Sequence, residues 1–244
     1  LNGVDVHRVK TLFEVKKNVI LRMVSCFSFV LLSLKLALKI SSNADIVISI
    51  APLSSGVIGS LVNIIKKKHH HFDVPDILPD LGISAGMIKS KPLIALLYKI
   101  EKWVYNHSNT ISAITHGQIK NINLKGVSRD KLSYIPDWID DTFFQNNLVL
   151  HQDMVNQTTK YSGKKLISFV GNIGALQNPE TFLETMVALA KEKRDEFLFL
   201  FIGDGIMLPY LKKRSKELNI KNIEFVGRVK RELIPAYMNR SDIL

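Results

Sequence analysis

The sequence predicts an α/β protein with two Rossmann-like, doubly wound parallel-sheet domains, and three observations support this prediction. Apolar runs of strand length alternate with segments of helical periodicity through most of the 244 residues. Two of these runs, residues 166–170 and 197–202, lead directly into glycine turns. A polar stretch rich in Asn and Gln, residues 141–163, separates the two alternating halves and is typical of a linker.

The predicted elements follow one another as strand, helix and strand in both halves. In order, they are strand 45–50, a helix capped by Ser54, Ser55 and Gly56 and running to about residue 68, strand 69–74, helix 92–107, strand 110–114, a short strand within 126–135, and strands 166–170 and 197–202. The first domain therefore covers residues 1–140 and the second residues 164–244. Residues 1–6 and 241–244 each have the pattern of part of a strand, and the chain lacks an initial Met. The chain is therefore expected to be an internal fragment in which both domains are incomplete.

Residues 19–40 form the most apolar stretch of the sequence. Arg22 and Lys35 bound its longest uncharged run, which is too short to cross a bilayer. The predicted helix is apolar on nearly all sides, as expected of a helix that is buried or lies against a membrane. Burial against a sheet is the expectation, and docking at a membrane surface is the alternative.

The composition limits the classes of partner and site. The net charge is +11, which favours anionic partners such as nucleotide phosphates or lipid headgroups. The basic clusters are short and are not interleaved with aromatic residues, so no nucleic-acid partner is expected. Cys26 is the single cysteine, which excludes an intrachain disulfide and favours a cytoplasmic protein. His69, His70 and His71 lie in a predicted strand and alternate between its faces, so no metal site is expected.

The glycine turns provide the first hypothesis about function. Gly171 and Gly174 follow one predicted strand, and Gly203 and Gly205 follow the next. Glycines between a parallel strand and a helix let backbone amides approach an anionic ligand, and the helix N-terminus adds partial positive charge. A ligand that carries phosphate is therefore expected in this half.

Several motifs in order resemble the family-four retaining glycosyltransferases of the GT-B fold, in particular the colanic-acid and N-acetylfucosamine-type branch. The motifs that carry the resemblance over nearly the whole chain are Asp76-Ile77-Leu78-Pro79-Asp80 after a strand, Glu101 on the next helix, Ile135-Pro136-Asp137-Trp138-Ile139-Asp140 before the linker, Gly171-Asn172-Ile173-Gly174 with Gln177, and Gly203-Asp204-Gly205.

The resemblance implies a hexosyltransferase-type enzyme that moves a sugar from a UDP-sugar to a cell-surface polysaccharide or a lipid-linked acceptor. It implies retention at the anomeric carbon, no obligatory metal and no other cofactor, and a cytoplasmic protein that can contact the anionic inner face of the plasma membrane. Asp76 is the candidate catalytic residue. The implied donor-binding residues are Gly171, Asn172, Gly174, Gln177, Gly203, Asp204, Gly205 and Arg228, and those on the acceptor side are Ser54, Ser55, Glu101 and Thr115.

The sequence departs from the family pattern at two places. Most of the wider family has Arg and Lys where this chain has Asn172 and Gln177, so two cations that would neutralise a leaving diphosphate are absent. Arg228 is the candidate replacement. The family's pair of Glu residues, separated by seven residues, would follow Leu244, so this polypeptide alone is expected to be inactive.

Structural explanations remain open for each of these residues. The turn at 171–174 can be a plain strand-to-helix connection, Asp76, Ser55 and Thr115 can cap helices, and an ordinary turn residue is the preferred interpretation of Asp204. Two other functional classes also remain: a nucleotide-sugar epimerase of the same fold, and a non-catalytic basic module that binds anionic lipid or nucleic acid.

Overall fold

A computed structural model of the protein describes residues 3–10, 19–139, 142–143, 161–192 and 194–244. The chain divides into two compact units, Leu1–Asp137 and Trp138–Leu244, and each contains one parallel sheet. Most of the linker predicted at residues 141–163 lies outside the described residues. Residues 3–10 have no regular secondary structure, so the strand predicted at the start of the chain is absent from its described part.

The sheet of the first unit has four parallel strands in the order β1-β2-β3-β4. These strands are β1 (Ile46–Ile50), β2 (His69–Val74), β3 (Thr110–Ala113) and β4 (Leu132–Tyr134). Ile50 pairs with Asp73, and Val74 pairs with Ala113, so the carboxyl ends of β1, β2 and β3 lie at one edge of the sheet. The predicted parallel α/β arrangement is confirmed for this unit.

The described residues of the first unit form the helices α1 (Val19–Ile40), α2 (Leu53–Lys66), α3 (Asp80–Ser84), α4 (Lys91–His107) and α5 (His116–Leu124). Glycines let α2 approach the sheet closely. A Cβ on Gly56 would lie 2.8 Å from the Phe72 ring, and one on Gly59 would lie 2.2 Å from the Nε2 atom of His70. Phe72 and Val104 are fully buried in the resulting core. The opposite face of β1 is exposed at Ile46, Ile48 and Ile50.

His70 is part of this core. Its Nε2 atom lies 2.6 Å from the hydroxyl of Ser49, and its Nδ1 atom lies 3.3 Å from the hydroxyl of Ser108. Burial lowers the pKa of His70 to about 4, so the ring is neutral at pH 7. His71 lies on the other face of β2, where its ring contacts Thr110 and Ser112. No cluster of three or more metal-ligating side chains occurs among the described residues.

Helix α1 differs from the sequence-based expectation of burial. In the part of the chain that the structure describes, the stretch Val24–Asn43 is by length and composition sufficient to span a membrane, with a mean hydropathy of 1.7, which differs from the expectation that the uncharged run is too short. Only 11% of that stretch is buried, and Phe27 and Leu31 are 66% and 51% exposed. The expectation of burial is therefore wrong for these residues. One side of the helix packs against α2, and the other side has an exposed apolar surface.

The second unit is doubly wound. Its strands β5 (Lys165–Val170), β6 (Phe197–Ile202) and β7 (Ile223–Gly227) are parallel, and its helices are α6 (Glu180–Lys191), α7 (Leu208–Glu217) and α8 (Ile234–Arg240). Alternate residues of β6 point to opposite faces. On one face, Leu200 packs with Tyr237 of α8, and on the other Phe201 packs with Leu183 of α6 and Leu211 of α7. Beyond α8, Ile243 forms a parallel bridge to β5, as expected for the beginning of another strand.

Candidate functional site

A cavity of about 520 Å³ lies at the carboxyl ends of β5, β6 and β7. Gly171 and Asn172 follow β5, Gly203 and Asp204 follow β6, and Arg228 follows β7; all five line the cavity. Its other lining residues are mostly apolar and comprise Ile139, Phe143, Val170, Ile202, Val229, Ile234 and Met238. Five of the eight predicted donor-binding residues are thus brought together, at the edge where doubly wound sheets bind ligands.

A larger cavity of the second unit, about 610 Å³, lies at the opposite end of the strands. Lys164, Phe197 and Asn222 line it, and none of the predicted site residues does. Because parallel α/β sheets bind ligands at the carboxyl ends of their strands, we assign the candidate site to the smaller cavity.

Three amides of the glycine turns are hydrogen-bonded to a neighbouring strand or turn and are therefore not free to bind a ligand. The amide of Gly171 donates to the carbonyl of Ile202 at 2.9 Å, that of Ile173 to Asp204 at 2.9 Å, and that of Gly203 to Gly227 at 2.8 Å. These bonds continue the parallel ladder beyond the strand ends. The expectation that the turn at 171–174 offers its amides to an anion is therefore not met by Gly171 and Ile173.

The glycines of the second turn are required by backbone packing. Gly203 has φ +141°, and a Cβ there would lie 1.9 Å from the carbonyl oxygen of Gly171. A Cβ on Gly205 would lie 2.2 Å from the carbonyl oxygen of Ile173. Gly205 does not line the cavity, and its amide donates to the Asp204 carboxylate at 2.8 Å. Asp204 thus serves the turn, in agreement with its preferred structural interpretation.

Asn172, Gly174 and Gln177 form a local cluster. The Asn172 side-chain nitrogen and the Gln177 side-chain oxygen lie 2.9 and 2.8 Å from the position that a Cβ on Gly174 would take. Only Asn172 of the three lines the cavity. Helix α6 begins after this cluster at Glu180, and Asn178 precedes it in a left-handed conformation with φ +44°. The amide group of Asn172 is therefore the polar side chain that this turn presents to the cavity.

Arg228 is the one basic side chain among the described residues that line the cavity. It is exposed and follows β7 directly. A second cation lies close by, because the Arg231 guanidinium is 5.0 Å from the ring centroid of Phe143, which lines the same cavity. Sequence reasoning missed Phe143 and Arg231, since Phe143 falls in the stretch predicted as a linker.

In the first unit, Asp76 and three other predicted residues lie at the carboxyl edge of the sheet. Asp76 is exposed just beyond β2. The N-cap of α2 is Pro52, so Ser54 and Ser55 lie in its first turn instead of capping it, and the hydroxyl of Ser55 donates to the carbonyl of Pro52 at 2.7 Å. Thr115 is the N-cap of α5 and accepts from the amide of Gln118 at 3.1 Å. Ser55 and Thr115 thus make hydrogen bonds that stabilise the first turns of α2 and α5.

Glu101 does not lie at this edge. Its side chain is 3% exposed, and Lys125 donates to its two oxygens at 2.7 and 3.0 Å. Tyr105 also donates to it, at 3.0 Å. Burial raises the pKa of Glu101, and the hydrogen bonds from Lys125 and Tyr105 oppose that rise. Glu101 is therefore engaged by Lys125 and Tyr105 inside the first unit, and its role on the acceptor side stays a prediction; sequence reasoning missed its partner Lys125.

The protein thus has two Rossmann-like units, one of which has a candidate ligand site at the carboxyl ends of its strands. The family follows from the sequence. Residues 151–244 match the family described as "Glycosyl transferases group 1". The resemblance to glycosyltransferases of the GT-B fold is confirmed.

Two curated relatives agree with this assignment. The chain is 26% identical over 169 residues to the Escherichia coli (strain K12) protein WcaI, named for glycosyl transfer in colanic acid biosynthesis; the match covers 68% of this chain and 40% of the relative. It is 28% identical over 92 residues to a Campylobacter jejuni α-1,4-N-acetyl-D-galactosaminyltransferase named for an undecaprenol-linked substrate, a match that covers 38% of this chain and 25% of the relative. The chain thus spans 40% or less of the length of these relatives.

Solved structures share the fold at low sequence identity. The Anabaena protein HepE in complex with UDP superposes with a TM-score of 0.64 at 11% identity, over 86% of this chain and 54% of that chain. A UDP-N-acetylglucosamine 2-epimerase from Listeria monocytogenes superposes with a TM-score of 0.55 at 9% identity, over 88% and 56% of the two chains. Because transferases and epimerases both match, the likeness in structure supports the fold class alone.

Proposed function

We propose that the complete protein transfers a sugar from a UDP-linked donor to a cell-surface polysaccharide or a lipid-linked acceptor, with retention at the anomeric carbon. The observation that carries the proposal is the cavity at the carboxyl ends of β5, β6 and β7, most of whose lining residues lie in the stretch that matches the glycosyl transferases group 1 family. The relative named for colanic acid biosynthesis and the relative named for an undecaprenol-linked substrate support the acceptor class. The donor class follows from the resemblance to the family, and HepE, which shares the fold, was solved in complex with UDP.

The chemistry requires positive charge beside the leaving group. When the bond between the sugar and UDP breaks, negative charge builds on the diphosphate, and the anomeric carbon gains positive character until the acceptor oxygen bonds to it and the acceptor proton passes to the leaving diphosphate. Fixed donors and cations stabilise such charge. We propose that Arg228 supplies the cation and that the side-chain amide of Asn172 donates a neutral hydrogen bond. The proposal needs no metal ion, so transfer is expected to continue in the presence of EDTA.

Asp76 is proposed to act from the acceptor side. An exposed carboxylate at the carboxyl end of a parallel strand can orient the acceptor hydroxyl or stabilise positive charge that develops on the sugar. Ser54, half-buried in the first turn of α2 at the same edge of the sheet, is proposed to assist in binding the acceptor.

Arg228 provides the direct test of this function. Arg228→Gln is expected to weaken binding of UDP by about 10-fold to 100-fold, because a charge-assisted hydrogen bond is replaced by a neutral one. Isothermal titration calorimetry with UDP measures this change. The matched control is Lys230→Gln, since Lys230 is exposed nearby but does not line the cavity. Equal affinities of the Arg228 and Lys230 variants would contradict the assignment of the site.

An activity assay separates the alternative functions. The complete protein is mixed with UDP-sugars, with and without a saccharide or lipid-linked acceptor, and UDP release is measured together with the transferred sugar. Transfer that depends on the acceptor supports the proposal. An altered donor sugar formed without any acceptor would identify an epimerase, and retention on nucleic acid with no binding of UDP would identify a basic binding module.

We further propose that α1 docks on the surface of an anionic membrane, which would place the protein on the cytoplasmic face of the plasma membrane. Phe27, Leu31 and Leu32 are exposed on α1, and Lys35 and Lys39 are exposed towards its end. The sequence has no Asp or Glu between residues 15 and 44. An apolar surface beside lysines, without acidic side chains, matches the chemistry of an anionic lipid surface. Because α1 also packs against α2, it is expected to lie along the membrane and not to cross it.

Vesicle binding tests this docking. The chain is expected to sediment with vesicles that contain phosphatidylglycerol and much less with vesicles of phosphatidylcholine alone. The double variant Phe27→Glu with Leu31→Glu is expected to lose at least about 10-fold in binding, since both apolar contacts are removed and negative charge is added. Met87→Glu, at a residue 75% exposed elsewhere on the first unit, is the control. Self-association of the chain without vesicle binding would assign the surface to a second copy instead.

A further inference from the structure

Helix α5 presents three polar side chains to the loop that carries Asp76. Gln118, Asn121 and Lys125 are three and four residues apart, a spacing that aligns them on one side of a helix and its end. Each donates a hydrogen bond to the segment of residues 75–80, which connects β2 to α3. These three residues form a stripe on α5, and their hydrogen bonds hold the loop in place.

Gln118 holds the start of the loop. Its side-chain nitrogen donates to the carbonyl of Pro75 at 2.6 Å, and Pro75 directly precedes Asp76. The side-chain oxygen of Gln118 accepts from the amides of Ile114 at 3.1 Å and Thr115 at 3.0 Å. One side chain thus joins the end of β3 to the end of β2, at the edge of the sheet where Asp76 is exposed.

Asp80 holds the end of the loop. One of its carboxylate oxygens accepts from the Tyr98 hydroxyl at 2.9 Å, and the other accepts from Asn121 at 3.2 Å and pairs with Lys125 at 3.0 Å. Burial acts to raise the pKa of Asp80, but the hydrogen bonds from Lys125, Tyr98 and Asn121 outweigh it, and the pKa is lowered. The carboxylate is therefore the favoured form, and each of its oxygens has a partner.

Lys125 is itself fixed in place. Its ammonium group lies between Asp80 and Glu101, and Glu101 is almost fully buried. If Lys125 swung towards solvent, the Glu101 carboxylate would remain buried with only the Tyr105 hydroxyl as a donor in the described contacts. This would be costly, so the position of Lys125 is stable and can serve as an anchor.

We propose that the stripe Gln118, Asn121 and Lys125, through Pro75 and Asp80, positions Asp76 for reaction. Asp76 is exposed between the two anchored ends, and Ile77 beside it is buried in the core of the first unit. The stripe does not touch the reacting groups; it fixes the backbone from which Asp76 projects. This inference rests on the proposed function, in which Asp76 acts on the acceptor.

Asp80→Asn is the informative variant, because it removes one anchor and leaves Lys125 paired with Glu101. The amides of Leu81 and Ile83 donate to the carbonyls of Ile77 and Pro79, both at 3.0 Å, so their hydrogen exchange reports on the loop. We expect exchange at these amides to become about 10-fold faster while amides of β2 and β3 are unchanged. In the complete protein, kcat is expected to fall about 10-fold with little change in KM for the donor.

Two further variants complete the experiment. Asp80→Glu, which restores the charge, is expected to recover most of kcat and of the exchange protection. Asp130→Asn, at an exposed aspartate of the same unit, is expected to change neither. Unchanged exchange in Asp80→Asn would overturn the anchoring, and faster exchange with full kcat would overturn the positioning role alone. A wild-type protein that transfers no sugar would overturn the proposed function, and with it the need to position Asp76.

Discussion

Gly203→Ala is expected to lower the free energy of unfolding of the second unit by at least about 3 kcal/mol. The added Cβ would lie 1.9 Å from the carbonyl oxygen of Gly171, and φ at this residue is +141°. The obstructing atom belongs to the backbone. Hydrogen bonds that continue the sheet ladder hold both turns, so moving either turn costs free energy. Either the turn after β6 or the turn after β5 must move, and hydrogen bonds between them must break.

The chain offers a matched control at Gly171. Its φ is +149°, close to that of Gly203, but a Cβ there would meet no atom within 4 Å. Gly171→Ala therefore measures backbone strain without the clash and is expected to cost about 1 to 2 kcal/mol. Urea unfolding, monitored by far-ultraviolet circular dichroism, compares the free energies of unfolding of the two variants. Equal losses of stability would show that the close packing of the two turns is not what requires glycine at 203.

Lys125→Met is expected to destabilise the first unit by about 3 to 5 kcal/mol, because it leaves the buried Glu101 carboxylate without its cation. Lys125 donates to both oxygens of Glu101, and Tyr105 is the other donor described there. Lys120→Met is the control, since Lys120 is exposed on the same helix. Thermal and urea unfolding measure the difference, and a similar small effect of both variants would contradict the importance of the pair.

The charge of the Glu101 carboxylate also determines how the stability of Lys125→Met depends on pH. Burial raises the pKa of Glu101 in the folded protein, and removal of Lys125 is expected to raise it further. A carboxyl whose pKa is raised by folding contributes stability below its unfolded pKa and loses that contribution as the pH rises through its folded pKa. The deficit of Lys125→Met is therefore expected to be smaller near about pH 5 than near about pH 8. Lys125→Met combined with Glu101→Gln should recover much of the loss at either pH.

The local pattern of the sequence was sufficient to predict most strands of both units and the turns that line the candidate site, but β7 was not among the predicted strands. Strand β2 begins and ends where it was predicted, and the ends of β5 and β6 carry the predicted glycine turns. These features depend on short stretches of chain, in which apolar runs and glycines are informative. Arg228 was identified differently, from the order of motifs in the resemblance to the family, and it directly follows β7.

Features that depend on residues distant in sequence were not predicted. Glu101 and Lys125 are 24 residues apart, and nothing in either segment indicates that they meet. The Gln118 contact with Pro75 spans 43 residues, although the Thr115 and Gln118 spacing of a capping box was visible in the sequence. Whether the amides of Gly171 and Ile173 are hydrogen-bonded within the protein also depends on the neighbouring strand and its turn. For α1, an apolar periodicity cannot distinguish a buried helix from one whose surface faces lipid.

The hydrogen bonds between the glycine turns have a consequence for the kinetics of ligand capture. A turn that shares its amides with its neighbours cannot fluctuate alone, so the base of the cavity is expected to be equally ordered before and after a ligand arrives. The conformational entropy that the protein itself loses on capture would then come mainly from the long Arg228 side chain, roughly 2 kcal/mol at most. Slow, large-amplitude rearrangement should be confined to other segments, and the encounter rate at this site should approach that of a rigid receptor.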